Sequence, residues 1–366
     1  MYNAGALGSG AGSYSYGDWK VLRYPTLPSL EQYVNVDVQI GGRLFQQVPP
    51  KSRSDLWSSL TRKSATGQAC IMKYPALQAQ NVNAKTCGEI DKDVPRTFPD
   101  VPGFNDPTGQ RRLVRILRSY SLLDPEVGYC QGMNFVAGLL LKYLSNEADA
   151  FGTFCVLMMD RNYRELFLPH MIPLKNRMSQ LERLLPQSIY QKLEGCSINA
   201  ALYAPQWLLS CFANEMPTTF AARIIDALLG EEGGVAAEVL LKVASRVLQK
   251  LERTILCAGD FESVLKGIRN LPRQFSSDEM RELLSEALMH QWTPLERSIL
   301  CSQVQPPVGS SEGRHATRQA SQMQRHQPAR SPASHAETPA SASPAAQQKT
   351  SKYSLLGSDV MDRLRK

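Results

Sequence analysis

Residues that build metal or nucleophile sites are scarce in this chain. Only five of its 366 residues are His, and three of those lie beyond position 302, which leaves His170 and His290 too isolated to suggest a metal site or a Cys–His pair. Eight cysteines occur without any C-x-x-C spacing, and no charged-then-apolar leader opens the sequence. The expectation is reduced thiols in a cytosolic protein, folded without disulfide staples. No G-x-x-x-x-G-K-[ST] is present, and the amino-terminal glycines neither follow a strand nor open a helix. A nucleotide or cofactor of its own is therefore not expected. Met1-Tyr2 excludes amino-terminal myristoylation as written. The strongest apolar run, beginning at Phe135, is shorter than the ~20 residues of a membrane span and contains Lys142, so it reads as a buried core helix. Membrane contact is expected only peripherally, through a partner or the tail.

Charge of one sign is also scarce once it is located. The net charge is +7, but nine Lys or Arg against four Asp or Glu fall from Ser302 onward, so the rest of the chain carries only +2. A body that close to neutral lacks the footprint of a nucleic-acid binder.

Composition divides the chain into residues 1–45, a Gly/Ser-rich flexible extension; 46–300, a globular body; 301–352, a Ser/Ala/Pro/Gln tail with almost no large apolar side chain; and 353–366, a possible short amphipathic helix. The two outer extensions are expected to be disordered, because they bury too little to offset their ordering entropy. An apolar content of 43% is ample for a core in between. Strand-like alternation is nearly absent. Leu113, Ile116, Leu117 and Tyr120 recur at helical spacing opposite Arg111, Arg115 and Arg118, which makes 109–121 an amphipathic helix. Apolar repeats over 132–145, 148–159, 176–194, 204–213, 218–229, 235–257, 261–269 and 278–288 extend the pattern, with Gly and Pro mostly between them. The fold class is all-α.

Two segments carry chemistry. In Ile90-Asp-Lys-Asp-Val-Pro-Arg96-Thr-Phe-Pro, prolines on both sides stiffen the backbone that presents Arg96, a permanently charged planar donor suited to phosphate. In Gly128-Tyr-Cys-Gln131-Gly-Met-Asn-Phe, Gln131 sits at the mouth of an apolar run, and an amide that both donates and accepts can orient water. Charge neutralisation and water positioning are what a GTPase lacks when it hydrolyses GTP alone. Taken singly, each residue has a plainer reading: Arg96 as a solvent-facing loop residue, Asp93 as a helix cap, Gln131 as a partner for backbone groups at a helix start.

The pattern I-x-x-D-x-x-R-T-F-P followed by G-Y-x-Q-G-M-N resembles the paired signature of the TBC domain, the family of Rab GTPase-activating proteins. Flanking features agree: Arg53 and Trp57 in Pro49-Pro-Lys-Ser-Arg-Ser-Asp-Leu-Trp, Trp207 to Phe212 before Glu215-Met-Pro, and Arg223-Ile-Ile-Asp226. The resemblance covers roughly 46–300 and implies a multi-helix domain of two helical subdomains. It implies that Arg96 is an arginine finger and Gln131 a glutamine finger, both supplied in trans to a GTP-bound Rab whose nucleotide and Mg stay on the partner. Asp93 matches the position that orients the arginine, Tyr129 the tyrosine beside the glutamine, and Ile90 the motif's first residue. Arg53, Trp57 and Asp226 match structural positions; at i and i+4 of a helix, Arg53 and Trp57 are placed to stack. The Arg111, Arg112, Arg115, Arg118 face either lines the surface offered to the GTPase or is an ordinary solvated helix face. Two departures stand out: Ile225 replaces a common aromatic, and Pro95 makes the finger loop stiffer than usual. The implied activity is GTPase activation at endomembranes. A TBC-fold scaffold that binds a Rab or another trafficking partner without accelerating hydrolysis is the alternative.

Overall fold

The computed structural model describes residues 50–230, 235–271 and 274–302. The expected flexible extensions and the short helix over 353–366 lie outside these residues. Among the described residues every regular element is helical and no strand occurs, as the sequence pattern predicts.

Six helices form the first half: α1 (Pro50–Lys63), α2 (Ala65–Gln78), α3 (Ala84–Asp93), α4 (Pro107–Leu123), α5 (Met133–Tyr143) and α6 (Glu147–Met159). Helix α6 is its centre and packs against α1, α2, α4 and α5. It has no polar face to spare, since Ala150, Phe151, Phe154, Cys155, Leu157 and Met158 are all fully buried. A helix apolar all round needs neighbours on every side, and α6 has them. Helix α4 begins where Asp106 accepts hydrogen bonds from the Thr108 and Gly109 amides at 2.6 and 3.0 Å, with Pro107 opening the first turn.

The second half comprises α7 (Ile172–Arg183), α8 (Gln187–Gly195), α9 (Ala204–Leu209), α10 (Thr218–Gly230), α11 (Ala236–Lys250), α12 (Glu252–Cys257), α13 (Phe261–Arg269), α14 (Ser277–Met289) and α15 (Pro294–Cys301). Helix α11 is the hub here, packed on α7, α9, α10 and α14. Helix α10 bridges the halves through α1, α5 and α6.

That bridge is ionic as well as apolar. The Arg53 guanidinium donates to both carboxylate oxygens of Asp226 at 2.9 to 3.0 Å, and the Trp57 indole N–H donates to the same carboxylate at 2.8 Å. All three residues are buried. Arg53 also lies over the Tyr143 ring, 5.2 Å from its centroid. Arg53 and Trp57 therefore meet at a shared carboxylate from α10, which ties α1 to the second half of the domain.

Several helix limits differ from the sequence expectation. The repeat read over 176–194 is two helices, because Pro186 between them has no N–H to continue the ladder. The repeat over 235–257 breaks at Leu251, and the one over 204–213 ends at Leu209, with Cys211 and Phe212 at positive φ. Helix α2 carries Pro75 in its interior and no apolar stripe, so periodicity does not reveal it.

Candidate functional site

Helix α3 positions the first signature. Asn83 caps it by accepting from the Thr86 amide at 2.8 Å, and Ile90, fully buried, pins its last turn to the core. The chain then tightens into a 3-10 turn over Val94–Arg96, where Pro95 fits because the first turn of a helix requires no N–H from it. Beyond Arg96 the backbone is held from two sides. The Thr97 hydroxyl donates to the Asp93 carbonyl at 2.9 Å and accepts from the Asn134 amide at 2.8 Å. Phe98 then turns through φ 51°.

The second signature is fixed from its own start. Between α4 and α5, Asp124 accepts from Tyr120 at 2.9 Å and from the buried Arg164 guanidinium at 2.8 and 3.0 Å, while Arg164 also reaches Glu126 at 2.8 Å. This clamp sets the loop that leads to Tyr129 and Gln131. Gly132 closes it at φ 109°, and a Cβ there would lie 2.6 Å from the Leu209 carbonyl oxygen, so only glycine lets the loop pass α9 this closely. The Gly132 amide donates to Asn134 at 3.0 Å, which leaves Asn134 bonded to both signature loops at once.

One carboxylate completes the lacing. Asp93 accepts from Arg96 Nη2 on one oxygen at 2.5 Å and from the Tyr129 hydroxyl on the other at 2.6 Å. Asp93 and Tyr129 are buried, whereas the Arg96 side chain is 43% exposed. Burial, with the Asp93 charge adding to it, pushes the Tyr129 phenol well above its ordinary range, so the hydroxyl stays a donor at any physiological pH. Only one nitrogen of the Arg96 fork is used by Asp93. The remaining donors have no acceptor among the described residues.

Gln131 is half-buried and lines a recess of about 10 Å³ with Gly132, Phe135, Gln206, Leu209, Ser210 and Asn214. That volume is close to the ~10–15 Å³ that admits one water. Next to Asn214, burial raises the Glu215 carboxyl to about 7 against the opposing charge of Arg269. The Asn214 amide donates to it at 3.3 Å.

The four arginines of α4 are engaged locally. Arg115 donates to both oxygens of Glu147 at 2.7 and 2.5 Å, Arg112 to the Ser145 carbonyl at 2.7 Å, Arg118 to Asp91 at 3.2 Å and Arg111 to Thr108 at 3.2 Å. Glu147 belongs to α6 and Asp91 to α3, so Arg115 and Arg118 brace α4 against its neighbours. The structure thus gathers Arg96, Asp93, Tyr129 and Gln131 on two laced loops, and sets Arg53, Trp57 and Asp226 together at the α1–α10 junction. Sequence reasoning did not single out Thr97, Asn134 or Gln206. Thr97 and Asn134 carried a signal, being polar residues inside the two apolar frames; Gln206 carried none.

Among the described residues no helix is long and apolar enough to cross a membrane, and no group of three or more His, Cys, Asp or Glu is placed to hold a metal ion.

Residues 50–256 match the Rab-GTPase-TBC domain family. Similar proteins include TBC1 domain family member 4 of Mus musculus, 37% identical over 66% of this chain and 19% of that protein. GTPase-activating protein GYP5 of Saccharomyces cerevisiae is 34% identical over 57% of this chain and 22% of that protein. The chain thus spans about a fifth of the length of these relatives. Among solved structures, the Chlamydomonas flagellar RabGAP TBC domain superposes with a TM-score of 0.54 at 25% identity, covering 68% of this chain and 82% of that one. The Ypt/Rab-GAP domain of Gyp1p has a TM-score of 0.57 at 17% identity, over 71% and 95%, and shows the shared fold. With the paired signatures laced together in that fold, the chain belongs to the RabGAP-TBC family.

Proposed function

We propose that this chain accelerates GTP hydrolysis by a Rab-family GTPase, with Arg96 and Gln131 supplied together to the GTP and Mg held by the partner. The observation that carries this reading is the lacing of the two loops. Asp93–Tyr129 and Thr97–Asn134 fix the Arg96 and Gln131 backbones relative to each other, while the Arg96 fork stays half-exposed with donors in reserve. Preorganised donors are worth most where charge develops in the transition state, because they need no reorganisation at the moment of reaction. Arg96 neutralises charge on the transferred phosphoryl group. Gln131, beside a recess of one water's size, orients the attacking water. Asp93 and Tyr129 are positioning residues that act through Arg96. The partner is the GTP-bound state, and recruitment to endomembranes runs through it.

A hydrolysis panel over many Rab proteins tests the reading. The native chain should accelerate at least one, and Arg96→Ala and Gln131→Ala should each abolish most of that acceleration. A native chain that binds a GTP-loaded Rab yet accelerates none would replace the reading with a scaffold.

A further inference from the structure

Helices α11, α14 and α15 meet around a second cavity, of about 180 Å³, whose walls contribute nothing to the recess beside Gln131. Its volume is an order of magnitude above what admits one water. The polar groups on its wall divide sharply into satisfied and unsatisfied ones. On the acceptor side, Glu286 takes Arg246 Nε at 2.6 Å, and Glu296 takes the Thr293 amide at 2.8 Å and His290 Nε2 at 3.1 Å. Gln249 accepts from Arg246 at 2.9 Å and donates to Ser245 at 3.2 Å.

The donor side is different. The Lys242 ammonium sits over the Trp292 ring, 5.7 Å from its centroid, and no carboxylate, carbonyl or hydroxyl among the described residues accepts from it. The Trp292 indole N–H is buried without an acceptor. Leaving such a donor unpaired is costly, and both unpaired donors belong to the same wall. The donors left over on this wall are therefore an ammonium and an indole N–H. Their complement is a group that only accepts and carries negative charge.

We propose that this cavity is an anion site that takes a phosphate group, free or carried on a phosphorylated side chain. Lys242 supplies the point charge and Trp292 the unmet N–H, while Arg246, already paired with Glu286, stands on the same wall. The ring beneath Lys242 holds the ammonium in place before the anion arrives. The site uses none of the residues proposed for GTPase activation, so the two readings stand or fall separately.

The indole resonance of Trp292 in the ¹⁵N-labelled full chain reads the site directly. It is assigned by its loss in Trp292→Phe and by its displacement in Lys242→Met. Inorganic phosphate added at constant ionic strength should move this resonance to saturation, with the other indoles fixed. Lys242→Met, with its remaining indole resonances unchanged as the check on folding, should weaken the response at least about tenfold through loss of one charge-assisted partner. A phosphoserine peptide that saturates at lower concentration than inorganic phosphate identifies the carried group, and one that does not identifies the free anion. A Trp292 resonance indifferent to phosphate, or one that titrates identically in Lys242→Met, overturns the proposal.

Discussion

Tyr129→Phe is the most informative single change, because it removes one hydroxyl and leaves the ring volume untouched. The native hydroxyl donates to Asp93 at 2.6 Å, and Asp93 uses its other oxygen to hold Arg96 at 2.5 Å. A hydrogen bond to a charged group contributes about 1.5–3 kcal/mol. For a domain of this size, about 2–4 °C of Tm per kcal/mol gives a fall of roughly 3–12 °C. If that bond also registers Arg96 against Gln131, its loss reaches the transition state: about 1.4 kcal/mol per tenfold places the cost in kcat at roughly 10- to 100-fold. Binding of the GTPase uses a far larger surface, so KM should stay within about twofold. The assay is single-turnover hydrolysis on the Rab that the native chain accelerates best, alongside thermal unfolding. A double cycle with Asp93→Asn should be strongly non-additive, since both changes cut the same link. Native kcat combined with a lowered Tm would refute the reasoning and leave Tyr129 a packing residue.

Other consequences are checkable on the same protein. Gly132→Ala forces a Cβ within 2.6 Å of the Leu209 carbonyl at φ 109°, so thermal unfolding should show a loss of about 1–3 kcal/mol or more, with reduced GTPase activation. Asp226→Asn strands the buried Arg53 guanidinium and should cost about 3–5 kcal/mol in denaturant unfolding, while a small effect would mean the α1–α10 junction is held by apolar packing alone. Reversing Arg115 and Arg118 to Glu sets like charges against Glu147 and Asp91, which should lower Tm and leave KM for the GTPase unchanged; a large rise in KM would make this face part of the docking surface. Glu215 has a folded-state pKa raised to about 7, so the native fold binds its proton more tightly than the unfolded chain does. Its contribution to stability is full below the unfolded value near 4.5, declines as pH rises to about 7, and is flat above. The stability of the native chain relative to Glu215→Gln should fall across that window.

The fold was legible wherever burial is one-sided. Helix α4 lies within two residues of its expected limits because Leu113, Ile116, Leu117 and Tyr120 form a single apolar stripe under an arginine face. Helices α7 and α8 blur into one repeat because the spacing of their apolar positions runs across the Pro186 break, and α2 hides because its apolar residues make no stripe. In the candidate site, Arg96 and Gln131 stand out as long polar side chains in stiff apolar frames. The bonds that couple them do not. Tyr129–Asp93 spans 36 positions and Asn134–Thr97 spans 37, and no local pattern encodes a contact between a helix terminus and a loop that far away. Arg164, which anchors the second loop through Asp124, lies 40 positions from its partner and carries no local signature either.

The central claim is that Arg96 and Gln131 act as one unit on a partner's GTP. Single-turnover hydrolysis on a cognate GTP-loaded Rab, with the native chain, Arg96→Ala, Gln131→Ala and the double variant, measures it most directly. Losing the arginine should cost about 10³-fold or more in the rate constant, the glutamine a comparable factor, and the double variant little beyond the worse single one. Variants that accelerate hydrolysis as fast as the native chain would contradict the account.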